Sequence, residues 1–219
     1  MNDSLLPQYG GYKKLVSYRL GILIYDATVA FCEQYISKKD RTYDQMVQAA
    51  RSGVANIIEG SEASATSKKT ELKLTNVAKA SQEELLNDYL AFLRQRELTV
   101  WDAESIPALT IRRAHPESLE QLRMIMARLV SDKSDKSDKS DKSDKSDKSD
   151  KSDKSDKSDK SDKSDRRAIK QEVAANVMIC LINQETYLLN RQITRLAEDF
   201  EKNGGFTERL FNHRKQKRK

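Results

Sequence analysis

The segment from Leu15 to Ile36 reads LVSYRLGILIYDATVAFCEQYI, and it decides the fold class. Its apolar residues recur at alternating intervals of three and four, which places them on one face of an α-helix. This row consists of Leu15, Tyr18, Ile22, Tyr25, Val29, Cys32 and Ile36. The row is widened by Leu23, Ile24, Ala27, Ala30 and Phe31. We therefore predict a helix from about Lys13 to Ser37 that contacts two neighbours, inside a helical bundle or at a subunit seam.

Two more long helices are predicted in the first half of the chain, each with an apolar row at helical spacing. The second helix runs from Thr42 or Asp44 to Gly60, where glycine is expected to adopt the left-handed conformation that ends a helix. The third helix begins after the candidate N-cap residues Ser64 to Ser67 and continues to about Glu97.

The remaining non-repetitive sequence predicts one short helix and one long helix. Residues 99–114 are expected to be irregular, and Pro116 suits the first turn of the short helix. The last helix is predicted from Arg167 to Lys202 and is ended by Asn203–Gly205. Only three prolines and seven glycines interrupt the chain, which favours helices throughout. The predicted fold class is all-α, an antiparallel up-down four-helix bundle.

Residues 131–165 repeat the tripeptide Ser-Asp-Lys eleven times and end with Ser164 and Asp165. The repeat has no apolar side chain, so nothing it buries offsets the entropy of ordering it. We expect a disordered low-complexity insertion before the last long helix, a linker with no function of its own. The domains are then residues 1–130 for helices one to three and the short helix, 131–165 for the linker, 166–203 for the last bundle helix, and 204–219 for a C-terminal suffix with a basic tail.

Positive charge is concentrated after the repeat. Residues 1–130 carry 17 basic and 16 acidic side chains, whereas residues 166–219 carry 12 basic and 6 acidic ones. A basic tail can neutralise phosphates with an affinity that depends on salt and little on sequence, although it can also be only a solubilising terminus. The candidate nucleic-acid-binding residues are Arg209, His213, Arg214, Lys215, Lys217, Arg218 and Lys219.

The side chains that catalysis requires are sparse. The chain has two histidines, His115 and His213, both outside the apolar rows, and it has neither a Glu-x-x-His pair nor a phosphate-binding glycine loop. Cys32 and Cys180 lie in apolar helical runs and are expected to be buried thiols in a reducing compartment. We therefore predict that the protein is not an enzyme and has no cofactor, metal or small-molecule substrate.

The expected location is the cytoplasm. The first fifteen residues lack the basic stretch and apolar core of a signal peptide. No window reaches 18 uninterrupted apolar residues, so no membrane span and no membrane partner are predicted.

Residues 45–60, QMVQAARSGVANIIEG, carry a resemblance to a known family. They resemble the four-helix bundle proteins encoded within intervening sequences of bacterial 23S ribosomal RNA genes, which are related to the accessory variability protein of diversity-generating retroelements. The matching motif residues are Gln45, Asn56, Glu59 and Gly60, and residues 200–210 look like the C-terminal suffix extension of a subgroup. The resemblance implies a homo-oligomer, often a pentamer, that acts by binding.

This chain departs from the family pattern at two places. Gly53 and Val54 stand where the family often has Ile-Pro, so a proline kink in the second helix is not expected. A basic residue that is common shortly after Glu-Gly is missing from residues 61–67. This second departure weakens the expectation that the corner between helices two and three contacts RNA.

Asn56 and Glu59 lie three residues apart on one face of the second helix. A glutamate near a helix C-terminus opposes the helix dipole unless it is paired. In a structural role, we expect Glu59 to bond to a Lys or Arg or to cap a neighbouring helix. In a functional role, it would contact a ligand or partner at the end of the bundle. Two function classes therefore remain: an oligomeric accessory protein that binds RNA or DNA, and a scaffold whose partner is a protein.

Overall fold

A computed structural model describes the backbone of residues 11–140, 155–204, 211 and 214–215. Side chains are described for 11–134, 164–202, 204, 211, 214 and 215. Every regular element in these ranges is a helix, which confirms the all-α class. The elements are a 3₁₀-helix (Gly11–Lys14) and the α-helices α1 (Val16–Tyr35), α2 (Arg41–Ala63), α3 (Lys68–Gln95), α4 (Ile106–Ala114), α5 (Leu119–Ser140) and α6 (Ser155–Asn203). Within the described residues, no helix combines the length and the apolarity needed to cross a membrane.

Side-chain caps fix where α2 and α3 begin. Asp40 precedes α2, and its Oδ1 accepts a hydrogen bond of 2.9 Å from the backbone N–H of Thr42. Ser67 precedes α3, and its Oγ accepts one of 3.1 Å from the N–H of Thr70. Each oxygen satisfies a backbone N–H that has no partner inside the helix. The third helix therefore starts at the predicted run of N-cap residues.

The prediction that Gly60 caps the second helix is wrong, because α2 continues to Ala63. The only described glycine with a positive φ is Gly204, so Gly60 does not take the left-handed conformation. Gly60 is buried, and a Cβ atom built on it would lie 3.3 Å from the Cβ of Leu74. Glycine is used here so that α2 and α3 can approach closely.

The stretch expected to be irregular, residues 99–114, contains the helix α4. Ser105 occupies its N-cap position and Pro107 lies in its first turn, the position proline favours. Pro116 was assigned to a first turn, but α5 begins only at Leu119. There the Oγ of Ser118 accepts a hydrogen bond of 3.2 Å from the N–H of Gln121, which defines the helix start.

Both helices beside the repeat extend into it. α5 continues to Ser140, and α6 begins at Ser155 rather than at Arg167. Propagating an existing helix costs far less than nucleating one, and the repeat places Asp and Lys four residues apart. The expected disorder of the insertion therefore does not extend over residues 131–140 and 155–165, and residues 141–154 lie outside the described part of the chain. At the other end, α6 stops where predicted, with Gly204 at a φ of 64°.

The chain divides into two compact units, residues 1–88 with 181–219, and residues 89–180. In the first unit, the Cys32 and Met46 sulfurs of α1 and α2 are 4.0 Å apart. Ile57 of α2, Ala78 of α3 and Leu189 of α6 form one buried cluster. Four helical segments thus contribute to the core of this unit.

α1 has a buried face and a second, half-buried apolar face. The buried face consists of the residues predicted only to widen the row, namely Leu23, Ile24, Ala27 and Phe31, together with Cys32. Leu15 and Tyr18 of the predicted row pack against the cluster of Ile57, Ala78 and Leu189. The other half-buried residues of that row form what we call the α1 outer row: Ile22, Tyr25 and Val29. The apolar surface of α1 therefore exceeds what its own unit covers.

In the second unit, Asn176 of α6 fastens the segment that follows α3. Its Oδ1 accepts a hydrogen bond of 2.8 Å from the N–H of Trp101. Its Nδ2 donates to the carbonyl oxygens of Thr99, at 2.8 Å, and Glu172, at 2.9 Å. Asn176 is 1% exposed, so all three bonds are shielded from water by burial of the amide.

The first Ser-Asp-Lys tripeptide of the repeat, residues 131–133, makes a specific contact. The Nζ of Lys133 forms an ion pair with Oε1 of Glu172, a residue of α6 that is buried. This pair lies within the second compact unit. The repeat is therefore not a spacer along its whole length, because its first lysine neutralises a buried carboxylate.

Removing the repeat is expected to have different effects depending on where the deletion starts. Replacing residues 137–163 with a short Gly/Ser loop should leave the free energy of unfolding within about 1 kcal/mol, because loop-closure entropy changes slowly with length. A deletion that starts at Ser131 also removes Lys133 and should cost about 1–3 kcal/mol more, since Glu172 loses its partner. Urea unfolding of the two deletions and of full-length Lys133→Gln measures both effects. Loss of the fold in the shorter deletion would show that the repeat itself is packed.

Candidate nucleic-acid interface

The predicted tail site is described at two of its seven residues. Arg214 and Lys215 are helical and exposed. The other five predicted residues lie outside the described part of the chain: Arg209, His213, Lys217, Arg218 and Lys219. The two described cations are therefore free to reach a phosphate without any change in the core.

The family-motif residues do not converge on one site. Gln45 and Glu59 are exposed on α2, and Gly60 is buried against α3. Asn56 is half-buried, and its Nδ2 donates a hydrogen bond of 2.7 Å to the carbonyl oxygen of Ser52 one turn earlier. The pairing expected for Glu59 is not observed, since it makes no hydrogen bond or ion pair with any described side chain. Because α2 continues to Ala63, Glu59 also lies further from the helix end than predicted.

A cationic surface runs along α3 and α6 in the first unit. The two helices are antiparallel neighbours, because the Nζ of Lys68 is 3.7 Å from Oδ2 of Asp199 while Ala78 packs with Leu189. The exposed side chains between residues 69 and 80 of α3 and between residues 187 and 195 of α6 include two lysines, two arginines and a tyrosine. We call them the α3–α6 face: Lys69, Lys73, Tyr187, Arg191 and Arg195.

Two acidic residues within or next to these stretches are buried, so they contribute little to this surface, whereas Glu198 beyond Arg195 is exposed. Glu71 is 8% exposed, and its Oε2 is 3.1 Å from the Nζ of Lys68. Burial raises the pKa of Glu71, and Lys68 partly opposes that rise. Glu185 is fully buried. The α3–α6 face is therefore cationic although its sequence segments contain carboxylates.

Glu185 belongs to a buried polar layer in the first unit. A Cβ built on Gly21 of α1 would lie 2.6 Å from Oε1 of Glu185 and 3.3 Å from a methyl group of Val54. A Cβ built on Gly53 of α2 would lie 2.4 Å from Nε2 of Gln82 on α3. The two glycines thus leave the space that the two long polar side chains occupy. We call Gly21, Gly53, Gln82 and Glu185 the polar layer.

The polar groups of this layer have no hydrogen-bond partner among the described protein atoms. This holds for both carboxyl oxygens of Glu185 and for the amide oxygen and nitrogen of Gln82. Burial raises the pKa of Glu185 well above its ordinary 4.5, because the charged form cannot be solvated there. Burying such groups costs free energy, so the layer is a weak point of the core.

The sequence periodicity of α3 and α6 contains a signal for the polar layer. Glu185 lies four residues after Leu181 and four before Leu189, both buried on α6. Gln82 lies four residues after Ala78, which is also buried. A polar residue at a core position of a helical row indicates a buried polar group. The periodicity of α3 and α6 does not predict that Gly21 on α1 and Gly53 on α2 leave space for these side chains.

The cysteines and the described histidine show no catalytic arrangement. Burial raises the pKa of Cys32 to about 12 and that of Cys180 to about 11, so both are protonated thiols at neutral pH. His115 is exposed at the end of α4, with a φ of 43°. Across the described residues, no three His, Cys, Asp or Glu side chains are grouped so as to hold a metal ion.

Comparison of the chain with protein-family models, with curated proteins and with solved structures gives no match.

Proposed function

We propose that this chain is a non-enzymatic, oligomeric nucleic-acid-binding accessory protein of the cytoplasm. The observation that carries the proposal is the charge of the C-terminal suffix, in which five of the last six residues are basic. Arg214 and Lys215, the described members of that tail, are exposed. A cluster of this kind binds phosphates through charge and the release of counterions.

The proposed architecture of the first unit is an antiparallel, up-down four-helix bundle. Contacts between its helices pair residues in opposite chain order. Along α1 and α6, Ser17 bonds to Gln192 over 3.3 Å, and Gly21 meets Glu185. Gly60 meets Leu74 and Gly53 meets Gln82 in the same sense along α2 and α3. This pairing and the motif in residues 45–60 support membership of the ribosomal RNA intervening-sequence family.

Neutralising the tail is expected to abolish most nucleic-acid binding without changing the fold. The variant replaces Arg214, Lys215, Lys217, Arg218 and Lys219 with Ser or Gln. Each phosphate contact that is lost should flatten the log–log dependence of affinity on salt by roughly 0.7 to 0.9. In an oligomer several tails act together, so the loss of affinity should exceed that expected for one tail.

The measurement is a salt titration of labelled RNA and DNA binding with wild type and the tail-neutral variant. The control replaces three exposed cations at the α1–α2 connection, Lys38, Lys39 and Arg41, with Gln. The control should retain most of the affinity, because it leaves the tail intact. No binding by wild type at low salt would contradict the proposed function.

We expect the protein to be a homo-oligomer, with the family resemblance favouring a pentamer. The α1 outer row leaves three large apolar side chains half-buried in the isolated chain, and a subunit contact would cover them. Ile22→Glu with Val29→Glu should therefore reduce the assembly to the 25.0 kDa chain while circular dichroism stays helical. Light scattering at micromolar concentration measures this. A wild-type protein that is already monomeric would contradict the expectation.

A protein scaffold is the alternative function. It is favoured by the near balance of charge in residues 1–130, where 17 basic side chains face 16 acidic ones. A body of this kind offers no broad attraction to a polyanion. The salt titration separates the two functions, because a scaffold would not bind either nucleic acid.

A further inference from the structure

The exposed side chains of the α3–α6 face have a consistent charge. From Lys69 to Ala80 on α3, and from Tyr187 to Arg195 on α6, no exposed residue is acidic, and the surface ends at the exposed acids Glu83, Glu84 and Glu198. The cations on these stretches other than Lys79, which pairs with Glu83, have no ion-pair partner among the described residues. Such a surface is complementary to a row of phosphates rather than to a mixed protein surface.

Tyr187 exposes its aromatic ring at one end of this cationic surface, because Arg191 and Arg195 both follow it on α6. The side chain is 61% exposed, and the guanidinium carbon of Arg191 lies 5.9 Å from the ring centroid. An exposed tyrosine offers a flat surface for an unpaired base, and a neighbouring arginine adds a cation–π contribution and a phosphate contact. Aromatic and cationic side chains at adjacent positions are the combination that single-strand binding uses.

The spacing along α6 suits a strand that lies along the helix. Tyr187, Arg191 and Arg195 are each four residues apart, so they rise by about 6 Å per step on nearly the same side. Lys69 and Lys73 have the same spacing on the antiparallel neighbour α3. In the register set by Lys68 with Asp199 and by Ala78 with Leu189, Lys73 is level with Thr194 and Lys69 with Glu198. The cations of both helices therefore extend in one direction from the exposed ring.

We propose that the α3–α6 face binds single-stranded nucleic acid, with a base stacked on Tyr187 and phosphates on Arg191, Arg195, Lys69 and Lys73. The proposal rests on the proposed function and extends it, because the tail attracts any phosphate chain whereas this face selects unpaired bases. In a duplex the faces of the bases are covered by their neighbours, so Tyr187 has nothing to stack on. The face therefore supplies the preference for single strands that the tail lacks.

The test measures fluorescence anisotropy with a labelled single-stranded RNA, the DNA strand of the same sequence and its duplex. Tyr187→Ala should weaken single-strand binding by about tenfold, within the range found for losing one stacked base. Tyr187→Phe keeps the ring and should bind as wild type does. Duplex affinity should be nearly the same in all three proteins. Unchanged thermal unfolding of both variants shows that the fold is intact, as expected for an exposed residue.

The arginine row is tested by Arg191→Gln with Arg195→Gln, against the control Lys38→Gln with Lys39→Gln at an exposed site elsewhere in the same unit. The first pair should lower the salt slope by roughly 0.7 for each lost phosphate contact, and the control should not. Single-strand binding unaffected by Tyr187→Ala and by the arginine pair, but lost in the tail-neutral variant, would overturn this inference and leave the proposed function standing. Failure of wild type to bind any of the three probes would overturn both.

Discussion

Replacing Glu185 with glutamine is expected to stabilise the protein and to remove much of the decline in its stability as the pH rises above about 4.5. Glu185 is fully buried, and neither carboxyl oxygen has a hydrogen-bond partner among the described protein atoms. Its pKa in the folded protein is raised well above 4.5 because the charged form is desolvated. The unfolded chain therefore loses this proton at a lower pH than the folded chain does.

The direction of the effect follows from proton linkage. Between the ordinary and the raised pKa, the folded state holds one more proton than the unfolded state, so the free energy of unfolding falls as pH rises. The contribution of Glu185 is thus fully present below about pH 4.5 and declines by on the order of 1 kcal/mol per pH unit above it. Glu185→Gln has no titrating group, and its advantage over wild type should widen with pH.

Charged side chains near the polar layer do not offset this effect. The charged residues nearest to the polar layer along the neighbouring helices are Arg19 and Asp26 on α1, Arg51 on α2 and Glu83 on α3, and all four are exposed. Burial is the cause of the raised pKa of Glu185, and no opposing cation accompanies it. The glutamine variant therefore removes the titration without leaving an unpaired charge in the core.

Urea unfolding of wild type and Glu185→Gln at several pH values measures this prediction. Glu59→Gln is the matched control, since it is the same substitution at an exposed site in the same unit. Parallel stability curves for wild type and Glu185→Gln across the range would show that Glu185 is ionised and paired in the folded protein. Light scattering at each pH distinguishes unfolding from dissociation.

Asn176→Ala is expected to lower the free energy of unfolding by about 2–4 kcal/mol, because it leaves shielded backbone groups without partners. The asparagine amide makes three hydrogen bonds, two of them to the segment of Thr99 and Trp101. Alanine cannot replace either bond. Amide hydrogen exchange should also accelerate at Trp101, whose N–H loses its acceptor.

A matched control for Asn176 is provided by Asn76 on α3. Its Nδ2 donates a hydrogen bond of 3.0 Å to the carbonyl oxygen of Leu72, but the site is exposed and the bond stays within one helix. Asn76→Ala should change stability by less than about 0.5 kcal/mol, as is usual for exposed substitutions. Equal losses in the two variants would show that Asn176 does not fasten the segment after α3.

Sequence periodicity was sufficient for the long helices, and it failed where tertiary contacts decide. The row that begins at Leu15 predicted α1, but it did not show which side is the core, since Tyr18 and Ile22 are half-buried while Ile24 and Phe31 are buried. Gly60 had the local features of a cap, yet its role depends on Leu74 of another helix. The helix α4 was missed because its nine residues contain too few turns for a clear apolar period.

The candidate interface could be predicted only in part from the sequence, because a charge count treats every carboxylate as part of the surface. The tail stands out by composition alone, with five basic residues among the last six. The α3–α6 face stands out less, since Glu71 and Glu185 offset part of the positive charge of residues 68–80 and 185–195. Burial removes both from the surface, and burial depends on Gly21 and on Lys68 in three dimensions.

The two cysteines give each compact unit its own chemical reporter of opening. Cys32 belongs to the first unit and Cys180 to the second. Burial raises the pKa of Cys32 to about 12, and partial burial raises that of the half-buried Cys180 to about 11, so the reactive thiolate form of each is scarce while its surroundings stay closed. The rate of alkylation at Cys32 therefore measures how often the helices around the polar layer open. The rate at Cys180 measures the same for residues 89–180. Mass spectrometry of single-cysteine variants measures the two alkylation rates separately under native conditions.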